Sequence, residues 1–230
     1  MSATDWGAST LSSGTKRAAA FAAAPIGVLV FVAAVMGSIF LGTWGIVIGA
    51  LVVGGVIAWV LDQPRRCLAR TGAVPLDNST YPRPSNVVEG LAPRVGVPAP
   101  ELYLIEDGGP NALTSSRHGG TVALTRSLLD HYSRTELEAV LAHCLVRLQT
   151  GAIQRATMRL SFGPLGRTSI EPVGWRDDVA TAAVTRYPPA LASAIEKADP
   201  RRGSSGPLWF VPATPAGRTP AERVDAIADL

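Results

Sequence analysis

The sequence predicts an α+β domain, mainly helical with a small sheet, carried behind an N-terminal transmembrane helical hairpin. Three observations lead there. Residues 18–61 contain no Asp, Glu, Lys or Arg, although 17% of the 230 residues are charged. Two short apolar runs, Leu102–Ile105 and Thr121–Leu124, are bounded by Pro and Gly and read as strands. Elsewhere apolar residues recur at helical spacing behind recognisable start signals.

One helix crosses hydrocarbon with about 20 residues, so an uncharged run of 44 suits two crossings. Gly37-Ser38 and Gly42-Thr43-Trp44-Gly45 interrupt the Val/Ile/Leu pattern, which puts one span at 18–40 and the other at 44–61. Lys16 and Arg17 precede the first span, and Arg65, Arg66 and Arg70 follow the second. Basic flanks mark the cytoplasmic side, so the expectation is a two-span cell-membrane protein with both termini in the cytoplasm. A cleaved signal peptide over 16–36 is the competing reading, and the short turn with its second basic flank favours the hairpin. Residues 1–17, rich in Ser, Thr, Gly and Ala, read as a disordered tail.

Gly45 and Gly49 form a G-x-x-x-G, which lets helix backbones approach closely in lipid. Its first use is packing within the hairpin; docking on another membrane protein or complex is the second. The bilayer is the other implied partner. A net charge of +3, with no basic run longer than Arg-Arg, gives no footprint for nucleic acid. Two cysteines, Cys67 and Cys144, make no disulfide framework.

Residues 62–84 read as a linker, being rich in Pro, Arg, Gly and Asn, and residues 85–230 as one folded domain. Ser85 can cap a helix through Val87, Val88, Leu91 and Val95 that ends near Gly96. Ser133 and Glu136 make a capping box. Behind it Leu137, Val140, Leu141, Cys144, Leu145 and Leu148 fall within roughly 120° of one another, while His143 and Arg147 share a different face. The pattern weakens from Gly151 to Pro172. Helices follow at 177–185 and 189–198, and a last one starts at Thr219 with Val224, Ile227 and Leu230 on one face.

These residues carry a resemblance. Val95-Gly96-Val97-Pro98, Pro110-Asn111-Ala112-Leu113, Val122-Ala123-Leu124-Thr125 with Leu128-Leu129, and Glu136 to His143 resemble, in order, the core of the HtpX-type membrane-bound zinc metalloproteases, relatives of the CAAX prenyl endopeptidases. So do Thr185 to Leu191 with Ser193 to Lys197, then Leu208-Trp209-Phe210-Val211 and Thr219 to Val224. The resemblance implies a gluzincin-like domain and a zinc site built from an H-E-x-x-H helix and a downstream Glu. In that motif histidines at i and i+4 grip one Zn²⁺ and the Glu activates its water.

At the matching place this sequence reads His143-Cys144-Leu145-Val146-Arg147. Cys144 stands at the position of the base, and Arg147, protonated at any working pH, at that of the second ligand. The family register puts Gly174 on the downstream Glu and Asp178 on the family's Asp, with Glu171, Asp177 or Asp178 the only rescue ligands if the register slips. His118 and His131 lack the spacing to His143 that a replacement pair needs. Bland readings accompany each: His143 as a hydrogen-bonded residue near Glu136 or Glu138, Cys144 as a small buried hydrophobe, Arg147 as the partner of a nearby acid. Asn111 and Ala112 match the family's substrate-edge strand, and read by themselves as a turn before Thr121. The expectation is therefore no catalytic residues, a lost zinc with His143 as remnant ligand, and no other cofactor. Function is expected as a pseudoprotease that binds or scaffolds another protein. The alternatives are an accessory subunit of a larger membrane complex and a residual zinc endopeptidase with a nonstandard site.

Overall fold

The computed structural model describes residues 32, 35–36, 43–116, 119–160, 175–201, 206–213 and 219–228. The expected tail, nearly all of the first span, His118, Glu171 and Gly174 lie outside these residues. The chain divides into two units, Met1–Gln63 and Pro64–Leu230.

The first unit contributes helix α1 (Thr43–Leu61), which contains the whole of the second expected span. Its apolar side chains point outward: Trp44 is 72%, Leu51 71% and Leu61 74% exposed, and Val52, Ile57 and Trp59 are each more than half exposed. A helix that is apolar all round belongs in a core or in lipid. By length and composition no single helix among the described residues is long and apolar enough to cross a membrane, whereas Val47–Leu61 with Gln63–Ala69 passes as a pair. Gly45 is buried and Gly49 half-buried.

The second unit begins inside the stretch read as a linker, and that reading is corrected. It holds α2 (Gln63–Ala69), β1 (Val74–Pro75) and the start of α3 (Pro82–Val95). Cys67 and Leu68 join the core, and β1 pairs antiparallel with β2 (Glu101–Ile105), which fixes the stretch despite its loop-like composition. Helix α3 starts at Pro82 instead of Ser85, because proline at the first helical position loses no intrahelical hydrogen bond. Ser85 Oγ instead donates to Asn78 Oδ1 at 2.6 Å. The end is as expected: Gly96 sits at φ 78° and returns its N–H to Ala92 O.

Ala112–Ser115 is strand β3, where the residues alone read as a turn. All four side chains are buried, so the two-residue alternation that marks a half-exposed strand is missing. Neighbours on both sides make it a strand. It pairs antiparallel with β4 (Thr121–Thr125), which lies parallel to β2, giving the sheet order β1-β2-β4-β3. On its other edge Leu113 bridges Trp209, and Phe210 N donates to Ala112 O at 2.8 Å.

After α4 (Arg126–His131), the capping box opens α5 (Arg134–Gln149) as expected, with Ser133 Oγ accepting from Glu136 N and the Glu136 carboxylate from Ser133 N. Glu136 also takes Ser193 Oγ and Lys197 Nζ. Burial works to raise its pKa, but those hydrogen bonds outweigh it and bring the carboxyl down to about 2. The expected two-faced helix is instead buried on all sides from Ala139 to Leu148. It runs through the middle of the unit against α3, β3, α7 (Trp175–Thr185) and α8 (Pro188–Lys197). Leu137, Leu141 and Leu145 are fully buried and contribute about 1.5–3 kcal/mol each. The weak region after Gly151 includes α6 (Ala152–Leu160), and the chain closes on a 3₁₀ turn (Gly206–Leu208) and α9 (Pro220–Ala228).

Candidate functional site

Burial of α5 on every side turns His143 and Arg147 inward, and each meets partners that are distant in sequence. His143 is fully buried. Its Nδ1 lies 3.4 Å from Asp178 Oδ1 and 3.4 Å from Thr181 Oγ1, both on α7, so the expected neighbours Glu136 and Glu138 are replaced by residues across the helix interface. Thr181 donates its own proton to Asp177 O at 2.6 Å. Both groups facing Nδ1 are therefore acceptors, which assigns the proton to Nδ1 and leaves a lone pair on Nε2. Nε2 is buried without a hydrogen-bond partner, and the ring stands edge-on to Phe210 at 5.1 Å. A carboxylate at one imidazole nitrogen and a bare lone pair at the other is the posture of a metal-ligating histidine.

The rest of the site does not follow. Arg147 is 3% exposed, and its guanidinium is threaded into the backbone, with NH1 donating to Trp209 O at 3.2 Å and NH2 to Pro207 O at 2.7 Å. Its Nε lies 3.8 Å from Asp177 Oδ2, an ion pair without a hydrogen bond. Burial lowers the Arg147 pKa and raises that of Asp177, and each charge counteracts part of the shift in the other. Asp178 is held by Arg223, whose Nε and NH2 reach its two oxygens at 2.9 and 2.7 Å while NH1 donates to Phe210 O. Cys144 is fully buried and its thiol is pushed up to about 11 by that burial, so without a metal it carries its proton at neutral pH.

Zinc takes lone pairs from imidazole, thiolate or carboxylate. Here one imidazole offers a lone pair, the adjacent thiol keeps its proton, both carboxylates are engaged by guanidinium groups, and Arg147 only donates. These side chains do not fit the ion. Among the described residues no group of three from His, Cys, Asp and Glu is placed to hold a metal.

Sequence reasoning found His143, Cys144, Arg147, Asp177 and Asp178 from spacing and register, and the fold brings all but Cys144 into one buried charged cluster. It missed Arg223, Thr181 and the carbonyls of Pro207 and Trp209. A signal for Arg223 existed: it lies four residues before Ile227 on the buried side of α9, and a cation there requires a buried partner.

The cluster has a pH signature. Burial, with the Arg223 and Arg147 charges adding to it, holds the His143 pKa well below the ordinary 6.5. Below pH 6.5 the unfolded chain takes up a proton that the folded chain refuses. The stability from neutral His143 is thus complete above that pH and declines by about 1.4 kcal/mol per pH unit as pH falls. Denaturant titrations of the full chain in detergent between pH 7.5 and 5 should show this slope and lose one proton's worth of it in His143→Gln. Equal slopes in both proteins would refute the assignment.

Residues 79–147 match the model of peptidase family M48. A protein called Protease HtpX homolog from Dictyoglomus turgidum is 30% identical over 204 residues, spanning 68% of this chain and 67% of that protein. Protease HtpX of Legionella pneumophila is 35% identical over 120 residues, which is 50% of this chain and 41% of that one. A Listeria monocytogenes homologue is 37% identical over 79 residues, or 34% and 26% of the two chains.

Proposed function

This chain belongs to peptidase family M48, among its HtpX-like members, and from that premise we propose that it is a catalytically inactive, membrane-anchored homologue that acts by binding another protein. One observation carries the reading. At the place of the second zinc ligand, Arg147 is buried and committed to Pro207 O and Trp209 O, so a fixed positive charge stands where a metal would need a lone pair. Cys144, in the position of the general base, has no carboxylate to activate water, and Gly174, in the register of the third ligand, has no donor.

An intact fold around the missing donors supports a kept function in place of decay. The capping box, the Asp178–Arg223 pair and the pairing of Phe210 with Ala112 are all formed. The outward apolar surface of α1 supports the membrane anchor; two spans with both termini cytoplasmic follow from the basic flanks. Gly45 and Gly49 are the first residues to test for contact with a membrane partner.

Metal content tests the enzymatic alternative. Full-length protein, extracted in mild detergent from zinc-supplemented cells, should contain under about 0.1 equivalent of zinc and leave unfolded casein intact. One equivalent of zinc together with cleavage abolished by His143→Ala would establish a residual protease and end the proposal.

A further inference from the structure

In a zinc protease built on an H-E-x-x-H helix and a downstream Glu, the metal ties two separate helical segments to one point. Here α5 carries the motif positions, α7 begins one residue after Gly174, and the two helices are joined without such donors. Arg147 reaches from α5 to Asp177 on α7 and to two carbonyls of the segment that borders β3. Arg223 adds α9 by gripping Asp178 and donating to Phe210 O in that same segment.

The charges close without a metal. Two guanidinium groups face two carboxylates, and His143 is neutral in the tautomer its partners impose. Inserting a divalent cation would leave two positive charges uncompensated in a buried site, a far greater desolvation cost than the present pairs carry. The guanidinium also does something an ion at one point does not. Its planar fork holds two carbonyls at once, Pro207 O within a 3₁₀ turn and Trp209 O just beyond it.

We propose that Arg147 has taken over the metal's structural part, serving as the buried cation that clamps α5, α7 and residues 206–211 together. The inference rests on the reading that no zinc is held there, and the two fail separately. Zinc in the purified protein sinks that reading, whereas zinc-free protein indifferent to the loss of Arg147 sinks only this one.

The test compares full-length wild type, Arg147→Met and Arg147→Lys in detergent, with and without EDTA, by thermal unfolding and amide exchange. Arg147→Met should melt about 5–10 °C lower, and the amides of Trp209, Phe210 and Val211 should exchange at least about tenfold faster. Lysine keeps the charge without the fork, and should leave those amides nearly as exposed as methionine does. EDTA should leave wild type unchanged. Wild-type melting and protection in Arg147→Met, or a wild-type protein that EDTA destabilises as much as that substitution, would overturn the proposal. Should Arg147→Met fail to fold, Arg147→Gln, which retains a donor for one carbonyl, is read by the same amides, and full protection there would overturn it equally.

Discussion

Arg223→Met should lower the stability of the full chain by about 3–5 kcal/mol, equivalent to about 6–20 °C in melting temperature. The substitution leaves the Asp178 carboxylate fully buried with its two strongest donors gone, facing a His143 that is neutral and whose Nδ1–H is 3.4 Å away. Removing one member of a buried pair costs far more than removing both. Asp178→Asn combined with Arg223→Met should therefore recover part of the loss, and a double-mutant cycle in urea gives the coupling directly. A single substitution that costs under 1 kcal/mol would show that the pair is not what holds α9 to α7.

Asn111 should be nearly as sensitive. Its side chain uses four hydrogen bonds: Nδ2 donates to Asp199 O and Val211 O at 2.7 and 2.9 Å, and Oδ1 accepts from Ala112 N and Val211 N at 2.8 and 3.2 Å. Asn111→Ala strands the buried amides of Ala112 and Val211 and takes one donor each from Asp199 O and from Val211 O, the latter keeping Arg201 N, for an expected loss of about 3–4 kcal/mol. Asn111→Asp should be no better, since it turns an acceptor toward the carbonyls of Asp199 and Val211. Limited proteolysis offers the local readout, with cleavage within residues 199–213 appearing in both variants before any global unfolding. Resistance equal to wild type would mean that the segment is held on β3 by other means.

The same two residues show how far the sequence could be read. Helix α5 was legible as an element, because its capping box is a local chemical arrangement and its apolar spacing repeats over about three turns, whereas the burial of its second face was not. The motif positions were legible too, since His143, Cys144 and Arg147 stand at fixed spacings behind the capping box. Asn111 read as a turn because nothing local announces that an amide side chain will tie β3 to the segment Trp209–Val211, roughly a hundred residues away. Read from their own residues, without the resemblance, strand β3 and α2 are missed for a related reason: burial on both faces erases alternation, and pairing or core contact supplied by distant segments overrides loop-like composition. Arg223 fell within the predicted last helix, yet its role depends on Asp178, 45 residues earlier. Only the folded chain displays that pairing.

The carbonyls gripped by Arg147 also bear on how this chain could change over evolutionary time. Restoring histidine at that position would return one ligand but leave Pro207 O, Trp209 O and Asp177 without their partner. Restoring glutamate at Cys144 would put a charge into a fully buried position beside Thr114 while no metal is there to use it. Each first step back toward a protease is therefore destabilising before it is useful. On the proposed reading the replacement works as a ratchet against a return of the donor set.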